Sequence, residues 1–146
     1  MIAARLLLAA LHMQPTAPTT GDVFCDDIRT MLASAMERQP FQDLRSRAFL
    51  PRLLNGCVAD AAGYVCEQRR ARAGQTRDAY AQRIRQCMPA WPQATTFREI
   101  DLHGNDEIVI QASAFQARVV SQRAGRFYTI VIAIRAVELP SAPPPR

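Results

Sequence analysis

Four cysteines constrain this chain more than any other feature, because they limit its compartment and its topology together. Cys25, Cys57, Cys66 and Cys87 all lie downstream of an apolar N-terminal run. None is spaced as C-x-x-C or C-x-x-H, so a zinc cage and a thioredoxin-like redox pair both lack the spacing they need. An even count in a small exported domain reads as two disulfides, and four cysteines allow three pairings. A lipid anchor at Cys25 is disfavoured by the bulky Phe24 before it, and would leave an odd number of thiols to pair.

The N-terminus agrees with an oxidising destination. Arg5 is followed by the unbroken apolar run Leu6–Leu11, and then by a polar stretch containing Pro15 and Pro18. A positive start, a short apolar core and a small-residue exit predict a secretory signal over 1–20, with cleavage near 17–21. The run is far short of the roughly 20 residues that span a bilayer, so no stable transmembrane insertion is expected. Residues 21–139 then form one domain of ordinary size for a single core, and the Pro-rich 140–146 a flexible tail. The expected address is the periplasm, or the outside of the cell.

Residue periodicity supplies the elements. Phe24, Ile28, Met31, Leu32 and Ala35 share one face of a helix over 22–38, which Asp22 caps and Pro40 ends. The stretch 41–56 shows no period and reads as a connection pinned by Phe41, Leu44, Phe49, Leu50, Leu53 and Leu54. Two short strands, 56–61 and 64–71, flank a turn near Ala62-Gly63. A second helix runs from the cap Thr76 to Cys87, with Tyr80, Ile84, Cys87 and Met88 on one stripe. Strands follow at 95–102, 107–121 and 127–137, with a turn at 103–106, a second at 123–126, and a break at Ala112–Ala114 as an option. Thr129–Ile134, uncharged and β-prone, is a hazard on an edge and is expected in the centre of the sheet.

The fold class is therefore α+β, a small single domain of order α-β-β-α-β-β-β, with a mostly antiparallel sheet and two helices. That order favours Cys57–Cys66 across a hairpin and Cys25–Cys87 between antiparallel helices, while the two other pairings stay open.

Catalytic signatures are scarce. His103 is the only histidine beyond the signal, no G-x-S-x-G accompanies it, and no glycine loop suited to phosphate occurs. Asp101, Asp106 and Glu107 beside His103 match no metal signature, and a turn between strands accounts for them. No catalytic residue, metal or cofactor is assigned. The one charged feature is Arg69, Arg70, Arg72, Arg77, Arg83 and Arg85, opposed in that window only by Asp78. All 18 basic residues are arginine, and the net charge is +5. Guanidinium forks suit carboxylate and phosphate, although a charge run also serves simply to solvate a surface. Arg77 and Arg85 share a helix face roughly, whereas Arg83 lies about 160° from Arg85. Arg70, Arg72, Arg77 and Arg85 are therefore the candidate binding cluster.

The expected function is that of an exported, non-enzymatic binding domain: an inhibitor, an immunity factor or an accessory protein. Its partner would be a protein or another anionic component of the envelope, with nucleic acid not expected outside the cell. An envelope-polymer hydrolase using His103 and nearby acids, and a structural subunit of a secreted assembly, are the alternatives.

Overall fold

The computed structural model describes residues 21–137. The expected signal segment over 1–20 and the tail over 140–146 lie outside the described residues. Within them, three helices and six strands follow the order α1 (Val23–Ala35), α2 (Gln42–Ser46), β1 (Cys57–Asp60), β2 (Gly63–Gln68), α3 (Arg77–Gln86), β3 (Thr95–Ile100), β4 (Asp106–Gln111), β5 (Phe115–Ala124) and β6 (Phe127–Ala136). The strands form one sheet in the order β1-β2-β6-β5-β4-β3, antiparallel at every junction. The fold is the expected α+β domain, with one short helix and one strand more than the periodicity indicated.

Both long helices begin where side chains cap them. The Asp22 carboxylate accepts from the Phe24 N–H at 3.0 Å, and the Thr76 hydroxyl accepts from the Ala79 N–H at 3.1 Å. Helix α1 stops at Ala35 rather than Arg38, because the Met36 and Glu37 amides turn back to the Ala33 and Ser34 carbonyls. Phe24, Ile28, Met31, Leu32 and Ala35 are buried, so the stripe that predicts α1 is the face it packs with. Asp27, also buried, accepts from the Arg52 amide at 2.6 Å and ties the irregular connection to the helix. Within that connection α2 buries Leu44, and Phe41, Ala48 and Leu54 adopt left-handed φ.

The register explains the core. Tyr64, Ile134, Ala117 and Ile110 lie opposite one another across β2, β6, β5 and β4, and Cys66, Ile132, Val119 and Ile108 form the next row. All eight are buried beneath the helices, with α1 against β6 and α3 against β4 and β5. Strand β6 is third of six, so its uncharged stretch has a partner on each side. The segment expected at 107–121, with a break at Ala112–Ala114 as its option, takes that break and folds into β4 and β5, where the Ala112 amide donates to the Phe115 carbonyl at 3.0 Å. On the sheet's other face Arg118 bridges Glu99, at 2.8 Å, and the buried Glu107. Burial opposes the Arg118 charge, but the two carboxylates outweigh it and hold that guanidinium above its ordinary value.

Both favoured disulfides are present. Cys57 and Cys66 are direct partners in the β1–β2 register. Cys25, in the first turn of α1, joins Cys87 at the end of α3 across a Cα separation of 5.0 Å. Arg29 of α1 donates from Nε to the Cys87 carbonyl at 2.9 Å, so the junction that carries this crosslink is also hydrogen-bonded.

Candidate functional site

The antiparallel pairing of β2 with β6 creates a cationic end that no single stretch of sequence contains. Gln68 sits opposite Ile130, and the Ala71 amide donates to the Tyr128 carbonyl at 2.8 Å. Residues 69–72, three of them arginine, therefore run beside the β5–β6 hairpin. Its tip is Arg123-Ala124-Gly125-Arg126, with Gly125 at φ 64° and the Arg123 Nε donating to the Gly125 carbonyl at 3.0 Å. Phe127 and Tyr128 follow at once, 43% and 51% exposed. Large aromatics so accessible beside arginines have the composition of binding hot spots rather than of a solvated surface.

Strand alternation sends the two rings to opposite faces. On one face, the Arg70 and Arg126 guanidinium carbons lie 5.2 and 5.9 Å from the Phe127 ring centre, within cation–π range. Arg70 has a left-handed φ of 53°, an unfavourable conformation for an arginine. On the other face Tyr128, in register with Arg123, helps to floor an open cleft of about 630 Å³. Ser121 and Ile130 complete the floor, and residues 71–78 and 104–106 form the walls. Arg72, Arg77 and Arg123 all line it.

These three arginines are not equivalent. Arg77 belongs to a closed ring of charges that fastens α3 to β3 and β4. Its Nη1 meets Asp106 Oδ2 at 2.8 Å and its Nε meets Asp78 Oδ2 at 3.4 Å. Arg98 closes the ring, with Nη2 at 2.7 Å from Asp78 Oδ1 and Nη1 at 3.5 Å from Asp106 Oδ2. Two cations and two anions make the ring neutral. The uncompensated charge of the cleft comes instead from Arg72 and Arg123, neither of which pairs with a carboxylate among the described residues.

Beyond the ring, a groove of about 340 Å³ runs between α3 and β3, and Asp78 lines both hollows. Arg85 lies there beside Gln82, Thr96 and Phe97, and its Nη1 is buried with no hydrogen-bond partner among the described residues. A guanidinium nitrogen withdrawn from water without an acceptor is costly, which marks this point as one where an anion would be favoured. The four sequence candidates thus divide: Arg72 and Arg77 share the cleft, Arg85 occupies the adjoining groove, and Arg70 stacks on Phe127 across the sheet. Arg83 faces elsewhere, as helix geometry predicts, stacked 4.1 Å over Phe24 and paired with Asp22 at 3.2 Å. Arg123 and Arg126 read in the sequence only as a turn, and Phe127 and Tyr128 only as the start of the following strand; none of the four stands out there as a binding residue.

His103 is exposed in the β3–β4 turn and is not part of the cleft wall that Gly104, Asn105 and Asp106 supply. The Asp101 carboxylate organises that turn, accepting from the Asn105 side chain at 2.9 Å and from the Asn105 and His103 amides at 2.8 Å each. Those donors, the Asn105 side chain foremost, hold the Asp101 carboxyl below its ordinary value. Among the described residues no group of three or more His, Cys, Asp or Glu side chains could hold a metal ion, and no helix is long and apolar enough to cross a membrane. No family model, curated protein or solved structure matches this chain.

Proposed function

We propose that this protein is an exported, non-enzymatic binding domain that holds an anionic partner at the arginine-rich end of its sheet. The observation that carries the proposal is the convergence of three distant segments on one cleft, residues 71–78, residues 104–106 and the β5–β6 residues Ser121, Arg123, Tyr128 and Ile130, with uncompensated arginines and an exposed tyrosine. A surface that merely solvates the domain has no need to gather its arginines around exposed rings. Two disulfides and the expected signal segment support export. The hydrolase alternative has no comparable support, since His103 projects from a turn outside the cleft. A subunit that assembled by strand addition would need a free edge on its apolar final strand, and β6 is paired on both edges.

The test is retention on an immobilised polyanion, read as the salt concentration at elution. Replacing Arg70, Arg72 and Arg123 with glutamine should lower that concentration far more than replacing Arg38, Arg47 and Arg52, a change of equal charge elsewhere on the surface. His103→Ala should leave it unchanged. Equal loss in the two triple variants would mean that retention reports net charge alone and that this end is not a site.

A further inference from the structure

The cleft and the groove differ in charge along their length, and the order of those charges narrows the partner. Arg72 and Arg123 form one cationic station in the cleft that Tyr128 also lines. The neutral Arg77–Asp106–Arg98–Asp78 ring comes next, and Arg85 with its unpartnered Nη1 forms a second station past Asp78. Building on the proposed function, we propose that this path binds an acidic polysaccharide: a chain of sugars carrying carboxylates at intervals.

Each part has a role in that recognition. A sugar ring presents an apolar face and a polar rim, so it needs an aromatic platform with both donors and acceptors around it. Tyr128 is the platform, half exposed on the cleft floor. Arg72 and Arg123 offer forks to a carboxylate on the same sugar. The Asp78 and Asp106 carboxylates lie in the wall, held in place by Arg77 and Arg98, and accept from hydroxyls without adding net negative charge. An isolated phosphate or sulfate ion has no ring to lie on Tyr128 and is too small to reach both stations. An unbroken run of negative charge, such as an acidic peptide, would place charge against a neutral wall at the centre of the path. A polymer with spaced carboxylates meets cations at both stations and acceptors between them.

The experiment uses the full chain and oligomers of a 1,4-linked uronic acid from one to six units, titrated by calorimetry. Neutral oligosaccharides of equal length, a glutamate hexapeptide and vesicles containing anionic lipid serve as comparisons. Affinity for the uronate oligomers should rise with length, and the neutral oligomers should not bind. Tyr128→Ala should weaken uronate binding about tenfold while leaving the melting temperature unchanged, because the ring is exposed. Arg85→Gln should flatten the dependence on length and spare the shortest ligand, while Arg72→Gln with Arg123→Gln should weaken every length. If the glutamate peptide or the vesicles bind more tightly than the uronates and Tyr128→Ala has no effect, the saccharide assignment is overturned and the anionic-partner reading stands. If no polyanion binds in a manner that depends on Arg72 and Arg123, both readings fail.

Discussion

At the scale of the single residue, Gly63 stands where the neighbouring strand leaves no room for a side chain. It opens β2 directly opposite Arg135, with φ at 151°, and a Cβ built there would overlap the Ile134 carbonyl oxygen and crowd the Phe41 ring. The oxygen belongs to the backbone of a central strand and cannot move without breaking the β2–β6 ladder. Gly125, at the hairpin tip, has open space around the same position, so only its left-handed φ of 64° resists a side chain. Gly125→Ala therefore tests backbone preference alone, and Gly63→Ala tests overlap on top of an unfavourable φ. Gly63→Ala should cost about 3 kcal/mol or more, in the range reserved for core disruption, whereas Gly125→Ala should cost about 1–2 kcal/mol. Urea denaturation of both variants decides it: equal losses would mean that the sheet yields at Gly63 and that the β2–β6 approach is not tight.

At the scale of the element, the question is what holds the disulfide-closed β1–β2 hairpin against β6. Ladder bonds from β2 contribute, and so does a polar tie: the Asp60 carboxylate accepts from the Ala62 and Gly63 amides at 2.9 Å each and pairs with Arg135 of β6. The hydrogen bond from Arg135, foremost, holds the Asp60 carboxyl below its ordinary value. With the folded value the lower one, the unfolded chain takes up the proton first as pH falls. The tie is fully present above the unfolded value near 3.9 and is lost as pH drops through the folded one. Asp60 is nearly half exposed, so solvent screening keeps the effect small. Asp60→Asn should lower stability by about 0.5–1 kcal/mol at neutral pH, and the gap to the parent should close as pH falls below about 4. A gap that stays constant across urea titrations in that range would assign the loss to the amide contacts rather than to the ion pair. Elements of this kind were partly legible. The α1 and α3 stripes and the alternation of β6 run long enough to show their period, and the cysteine positions matched the element order. Helix α2, at five residues, is too short to show any period. The turn between β4 and β5 is Ala112-Ser113-Ala114, without the glycine or proline that marks a turn in sequence.

At the scale of the whole molecule, topology decides what a reader of the sequence could and could not see. Arg70, Arg72, Arg77 and Arg85 stood out because they share one short window. Arg123, Arg126, Phe127 and Tyr128 lie far along the chain and join them only because β6 inserts between β2 and β5. Nothing local announces that insertion; the one hint was a basic turn followed immediately by two aromatics. The same topology orders the folding. Cys57 and Cys66 are 9 residues apart and face each other in a local hairpin, whereas Cys25 and Cys87 are 62 apart. The second pair meets only when α1 and α3 are both seated, and α1 rests on β6, the last strand to be made. Closing the longer loop costs more chain entropy, and its crosslink removes more from the unfolded state, about 4 kcal/mol against about 3 kcal/mol for the hairpin. Native protein alkylated without reductant should take up no label. After reduction and denaturation, refolding in a glutathione buffer with acid quenching should yield first a species carrying Cys57–Cys66 alone, with Cys25–Cys87 appearing together with protease resistance. Peptide mapping of the quenched species makes the test. Early accumulation of Cys25–Cys87 would mean that the two helices associate before the sheet is complete, and that β6 is not the platform on which this fold is assembled.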